Sequence, residues 1–187
     1  MREIVSEVSA AEEFGWLLKL AGALFFVAAL AFSATVRIWL PFTPVPITMQ
    51  TLVVMITGAA LGVRWGVGAV ATYLAAGAAG GPFFAGCAGW AAIAGPTGGY
   101  LIGFVAGAAV AGLAYRRAWF VRAGCLLASL AAIYACGLFH LAIIWRLGWH
   151  EAVAVGFLPF IVGDVAKYFL ATAALGPFNA AFKRLFH

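Results

Sequence analysis

Long apolar runs alternate along this chain with short breaks marked by Pro, Gly or Arg, and most charged side chains fall in or beside the breaks. That pattern predicts helices over Leu17 to Val36, Ile47 to Val63, Trp65 to Ala79, Gly98 to Tyr115, Ala123 to Leu147 and Leu158 to Leu175. The second and third runs meet at VRW, residues 63–65, so they are expected to fold back on each other as a tight helical hairpin. Small residues crowd the third and fourth runs, as in VGAVATYLAAGAAGG and GFVAGAAVAGLAY. They let helix backbones approach closely where no hydrophobic force drives helix against helix. The expected architecture is one compact all-α bundle of six helices.

Of 187 residues, 66% are hydrophobic and 9% charged, which places this bundle in a membrane. A helix needs about 20 apolar residues to cross the hydrocarbon core, so there is room for about six crossings and none for a separate soluble catalytic domain. The start, MREIVSEVSAAEEFGW, holds four Glu and one Arg before any apolar run, unlike the basic opening of a cleaved secretory signal. The expected organisation is a cytosolic N-terminal segment over residues 1–16, a membrane domain over 17–176 and a cytosolic interfacial tail over 177–187. In that tail Lys183 and Arg184 are expected to reach anionic headgroups.

The net charge of +5 reads as topology. With six spans, both termini share a side with the second-to-third and fourth-to-fifth connections. That side holds Arg2, Lys19, Arg64, Arg116, Arg117, Arg122, Lys183 and Arg184, against Arg37 and Arg146 opposite. The bias predicts cytoplasmic termini in a multi-pass protein of the cytoplasmic membrane, with the other connections facing outward. Nucleic acid is not an expected partner.

Three features share the outer side. In LPFTPVPITMQT, residues 40–51, Pro41, Pro44 and Pro46 bar helix and impose an extended connection that delivers Thr43, Thr48, Gln50 and Thr51 to the start of the next span. The same stretch also reads as a plain linker with a Thr cap. GGPFFAGCAGWAAIAGPTGGY, residues 80–100, is a long apolar connection. Its backbone cannot face lipid unpaired, so it reads as a lid or re-entrant plug with Phe83, Phe84 and Trp90 as an inward wall.

The third feature is IVGDVAKYF, where Asp164 and Lys167 stand three residues apart, on one face of a helix whose first turn holds Pro159. Each such charge costs about 2.5–3.5 kcal/mol at a helix centre and less near the interface. Either the two neutralise each other so that the helix can insert, or they anchor a ligand in an apolar pocket open to the outside. His140 reads as a core residue or a proton relay, and Trp39, Trp145 and Trp149 as an aromatic belt. Cys87, Cys125 and Cys136 have no metal-ligand spacing, so neither a metal, a cofactor nor a disulfide is expected.

FTPVPITMQTLVVMITGAALG, GGPFFAG, GPTGGYLIGF and LPFIVGDVAKYFLA, in that order between about residues 24 and 175, make the chain resemble the BioY family. These are the biotin-specific substrate-capture subunits, or S components, of energy-coupling-factor (ECF) transporters. The resemblance implies a six-helix membrane protein that binds biotin from outside, then docks with a transmembrane coupling subunit and two ATPase subunits. It implies that Asp164 accepts a ureido N–H and that Lys167 meets a ligand oxygen. Gln50 and Tyr100 match polar and aromatic positions of the family's loop motifs, Phe84 and Trp90 would sandwich the bicyclic ring, and Arg37 would meet the carboxylate. For docking, the family's Ala-x-x-x-Ala pattern on the first helix is replaced here by Ala29 and Ser33, with Ala31 and Thr35 at the same spacing. His140 stands where a larger apolar residue is expected.

No Walker-type phosphate loop occurs, so this chain does not itself hydrolyse ATP, and no paired nucleophile and base supports an enzyme. The rival readings are a stand-alone proton-coupled carrier for a small organic acid, titrating at Asp164, Lys167 and His140, and a membrane scaffold that moves nothing.

Overall fold

The structure is a computed structural model that describes the backbone of residues 2–185 and the side chains of residues 15–175. Its elements are α1 (Arg2–Ser33), β1 (Arg37–Ile38), β2 (Ile47–Thr48), α2 (Gln50–Ala78), α3 (Gly89–Ala94), α4 (Gly98–Gly112), α5 (Trp119–Phe139), α6 (Trp149–Gly156) and α7 (Ile161–Leu185). Apolar helical stretches long enough to cross a membrane are Gly15–Ser33, Gln50–Ala78, Trp119–Ile144 and Trp149–Leu175, with Gly98–Gly112 a shorter one. The chain is an all-helical, multi-pass membrane protein. The side chains of the expected N-terminal segment before Gly15, and those of the tail, lie outside the described residues.

The hairpin is formed by α2 itself. Gly62 has φ 79° and ψ 175°, and there the helix reverses. The Gln50 amide, 23 residues before Tyr73, donates to the Tyr73 hydroxyl at 2.5 Å. A straight helix would hold residues so far apart in sequence about 35 Å from each other. The turn therefore falls just before the VRW tripeptide, at a residue whose backbone only glycine adopts without strain. Two limbs result, 50–61 and 63–78, and the first pushes against α4: a Cβ added at Gly58 would lie 2.4 Å from the Ala108 carbonyl oxygen. The small residues thus do what their crowding implied, letting backbones touch.

Several boundaries differ from expectation, among them the start of α1 at Arg2 instead of Leu17. The first limb of α2 starts at Gln50 because Ile47 and Thr48 pair antiparallel with Ile38 and Arg37, which makes the proline-rich connection a small ribbon. The fifth helix runs on into a π turn, His140–Ile144, and ends there. Beyond it, Arg146 and Gly148 take positive φ, and α6 fills what reads in the sequence as a bare connection. The last span then starts through a 3-10 turn, Leu158–Phe160, with Pro159 in it, before α7 proper.

The core lies in two clusters. One, around Tyr73, Phe84, Tyr100, Phe104, Ile133 and Tyr134, occupies the end where the ribbon, α3 and α6 gather. The other, around Phe26, Met55, Ala111, Leu126 and Leu175, fills the end near the Gly62 turn.

Candidate ligand-binding site

Asp164 and Lys167 sit in the first two turns of α7, 3% and 5% exposed. Lys167 Nζ donates to Asp164 Oδ1 at 2.7 Å. Thr51, in the first turn of α2, donates to the same carboxylate oxygen at 3.2 Å and accepts from Lys167 at 3.3 Å. Tyr134 of α5 donates to the other oxygen, Oδ2. Three helices therefore converge on one carboxylate, and both its oxygens are satisfied. An ammonium has three N–H donors, and two of them are accounted for. Closing the pair on itself removes the net charge, so the cluster can sit inside an apolar bundle at a fraction of the cost of two separate ions.

A second polar line runs towards the 80–97 connection. Gln50 donates to Tyr73, and the Tyr73 hydroxyl donates to the Phe83 carbonyl at 2.6 Å. Tyr73 also meets Phe84 edge-on, with ring centroids 5.6 Å apart. At the far end of the same connection, His140 Nε2 donates to the Gly95 carbonyl at 3.0 Å, and Trp145 Nε1 donates to the Ala94 carbonyl at 3.1 Å. The carbonyl can only accept, so the imidazole proton lies on Nε2. Both donors ride on or next to the π turn, a break in helical register that turns side chains out of the regular sequence of faces.

Between these two lines lies a cavity of ≈ 570 Å³, its open mouth included. Its apolar walls include Val45 and Pro46 from the ribbon, Phe84 and Ala85 from the 80–97 connection, and Leu101, Phe104, Ile133 and Phe160 from the helices. The polar exceptions are Thr48, Gln50, Thr51, Thr97, Tyr100, Tyr134, Asp164 and Lys167. The arrangement suits a compact ligand that is mostly apolar and carries a hydrogen-bond donor next to an acceptor.

Of the residues singled out from the sequence, Asp164, Lys167, Gln50, Phe84 and Tyr100 are brought together around this cavity. The Tyr100 hydroxyl is engaged, donating to the Gly156 carbonyl at 2.7 Å, so Tyr100 offers its ring. Trp90 is not part of the wall: on the short α3 it is 74% exposed. Arg37 is also exposed. Its guanidinium packs over Gly86, where an added Cβ would lie 2.9 Å from Cζ, which puts it at the rim. Ser33 is buried and donates to the Leu30 carbonyl at 2.8 Å, and Ala29 is half-buried. The exposed large apolar side chains nearest them on that helix are Leu24, Phe25 and Phe32. Tyr134 and the full role of Thr51 are not evident from the sequence. The signal for Tyr134 was a tyrosine in an apolar span, whose buried hydroxyl must find a partner.

The sequence model of the BioY family matches residues 6–184. The chain belongs to the BioY family. Among curated relatives, a Thermotoga maritima protein named biotin transporter BioY is 40% identical over 155 residues, 80% of this chain and 88% of that one. A Rhizobium etli protein of the same name is 38% identical over 168 residues, 82% of this chain and 88% of that one. Among solved structures, the crystal structure of an S-component for biotin from an ECF-type ABC transporter superposes with a TM-score of 0.78 at 24% identity. The match covers 86% of this chain and 89% of that one, and at that identity it speaks for the fold. The family resemblance read from four motifs thus extends over nearly the whole chain. These relatives are named as transporters and not as enzymes.

Proposed function

We propose that this chain captures biotin and is the substrate-specific subunit of an ECF-type vitamin transporter. The observation that carries the reading is the neutral Asp164–Lys167–Thr51–Tyr134 cluster set in the wall of an otherwise apolar cavity. A ureido ring places N–H groups directly beside a carbonyl oxygen. A carboxylate beside an ammonium is the complementary pair, so one ring can engage both, Asp164 accepting an N–H and Lys167 donating its remaining proton to an oxygen. The fused thiophane and the alkyl chain suit the walls of Phe84, Tyr100 and Phe104. Arg37, whose guanidinium packs over Gly86, would meet the carboxylate, and Trp90 would join the wall only if α3 moves inward.

Eight basic residues against two at the ends of the spans support cytoplasmic termini, which turns the cavity towards the outside of the cytoplasmic membrane. The absence of a Walker-type loop from the sequence means that uptake draws its energy from partners, a transmembrane coupling subunit and two ATPase subunits. The rival proton-coupled carrier loses support because His140 is bound to Gly95 and is not among the cavity residues. Calorimetric titration of the detergent-solubilised protein tests the proposal. Biotin and desthiobiotin, which share the ureido ring, are both expected to bind saturably; no saturable heat with either would sink it.

A further inference from the structure

The opposite end of the α2 hairpin from the ligand cavity holds a second concavity. It lies between α1 and the start of the second limb of α2, lined by Gly15, Trp16, Lys19, Arg64, Trp65 and Gly68, with ≈ 1200 Å³ of open space, its mouth included. A Cβ added at Gly15 or Gly68 would meet nothing within 4 Å, so the cleft is wide where α1 and α2 have already diverged. They touch further along, where Gly22 faces Leu61. Lys19 and Arg64 are exposed to the cleft's side of the bundle, and neither has an ion-pair or hydrogen-bond partner among the described residues.

Two cations line one cleft, so an anion seated in it would meet both. The surroundings say at what depth that anion lies. Trp16 and Lys19 are three residues apart on one helix face, and Trp65 follows Arg64. Indoles concentrate at the membrane–water boundary, and lysine stems reach to it from below. Leu17, Leu18 and Val63, adjacent in sequence, are exposed apolar side chains that suit acyl chains. The Tyr115 ring packs against Gly62, which sets Arg116 and Arg117 at the same end of the bundle. Basic pockets between spans at such a depth are where phosphate headgroups are held.

We infer that the Lys19–Arg64 cleft binds the phosphate headgroup of an anionic phospholipid, with the two tryptophans framing it and the acyl chains running along α1. The site is separate from the vitamin cavity and does not rest on the reading of that cavity. Bound lipid pins α1 to the hairpin at the end where the two diverge.

Native mass spectrometry of the full chain, delipidated in detergent, reads the binding directly. Phosphatidylglycerol, phosphatidylcholine and inorganic phosphate are the three probes. The expected result is retention of phosphatidylglycerol alone, weakened about thirtyfold in the Lys19→Gln/Arg64→Gln variant, as the loss of two near-surface cations implies. A second variant, Arg117→Gln, is expected to leave retention within about twofold, and thermal unfolding in detergent checks that both variants fold. Equal retention of phosphatidylcholine overturns the inference, as does unchanged phosphatidylglycerol retention in the double variant. Inorganic phosphate binding as tightly as phosphatidylglycerol would assign the site to a free anion and overturn the lipid. So would absence of lipid binding together with protection of Lys19 from acylation by an added coupling subunit, which would assign the cleft to protein.

Discussion

Tyr73 holds the Phe83 carbonyl at 2.6 Å while its own oxygen accepts from Gln50, so one side chain joins the floor of the cavity to the connection that covers it. Tyr73→Phe leaves a buried donor and a carbonyl without their partner, each at about 1–3 kcal/mol. Amide hydrogen exchange over residues 80–88 is expected to accelerate by at least about tenfold, and biotin to dissociate faster. Exchange rates equal to those of the unaltered protein would show that Phe84 packing alone holds the connection down.

The Asp164–Lys167 pair separates stability from binding. Asp164→Asn leaves the ammonium buried without its counter-charge, which costs about 3–5 kcal/mol. Asp164→Asn/Lys167→Met removes both charges and is expected to recover most of that loss in thermal unfolding. Biotin affinity should stay lost in the single and in the double variant. If the double variant is no more stable than Asp164→Asn, the pair is not self-neutralising in the folded chain.

Tyr134 adds a hydrogen bond to an ionised acceptor, a class of contact that contributes about 1.5–3 kcal/mol. It also fixes the carboxylate plane, and its ring meets Phe157 edge-on with centroids 4.8 Å apart. Tyr134→Phe keeps the ring and removes only the hydroxyl. Calorimetry should report biotin affinity down by about tenfold or more with the unfolding temperature only modestly lowered. A loss of stability with intact affinity would make Tyr134 a purely structural residue.

The latch at the other end of the 80–97 connection is the pair His140 and Trp145, on the Gly95 and Ala94 carbonyls. Either contact alone can keep the connection seated, so His140→Ala and Trp145→Phe are expected to have small separate effects on biotin dissociation. The double variant should dissociate several times faster than the two single effects multiplied, because only then is that end released. Strict multiplication of the two effects would show that the contacts act independently.

Much of this was legible because membrane burial leaves so few polar residues to interpret. Asp164 and Lys167 stand out in IVGDVAKYF as an acid and a base three residues apart within one apolar run, and the structure puts both on the cavity. Their partners are less visible: Thr51 and Tyr134 are common residue types, and nothing local marks which of the Thr and Tyr side chains converge from three helices. The choice between self-neutralisation and ligand anchoring is not decidable from spacing; the geometry closes the pair on itself in the cavity wall. Trp90 misled because an aromatic residue in an apolar loop reads as buried, whereas in a bilayer protein an exposed indole is no anomaly. The short α6 was hidden in LGWHEAVAVGF, too brief and too mixed in polarity for the hydropathy that reveals spans.

The hairpin offers the most direct test of how one residue sets this fold. Gly62 sits in a region of backbone space that is essentially reserved for glycine, and an added Cβ would meet Tyr115 no closer than 3.4 Å, an ordinary contact. Gly62→Ala therefore costs backbone strain and nothing else, of order 1–3 kcal/mol. Gly68→Ala is the matched control, because its Cβ meets nothing within 4 Å and alanine favours helix over glycine by about 1 kcal/mol. Thermal unfolding should move down for the first and slightly up for the second. Because the Gln50–Tyr73 bond depends on the reversal at Gly62, the first variant is also expected to lose biotin affinity from a site at the far end of both limbs. Equal unfolding temperatures for the two variants would mean that VRW, and not Gly62, turns the chain.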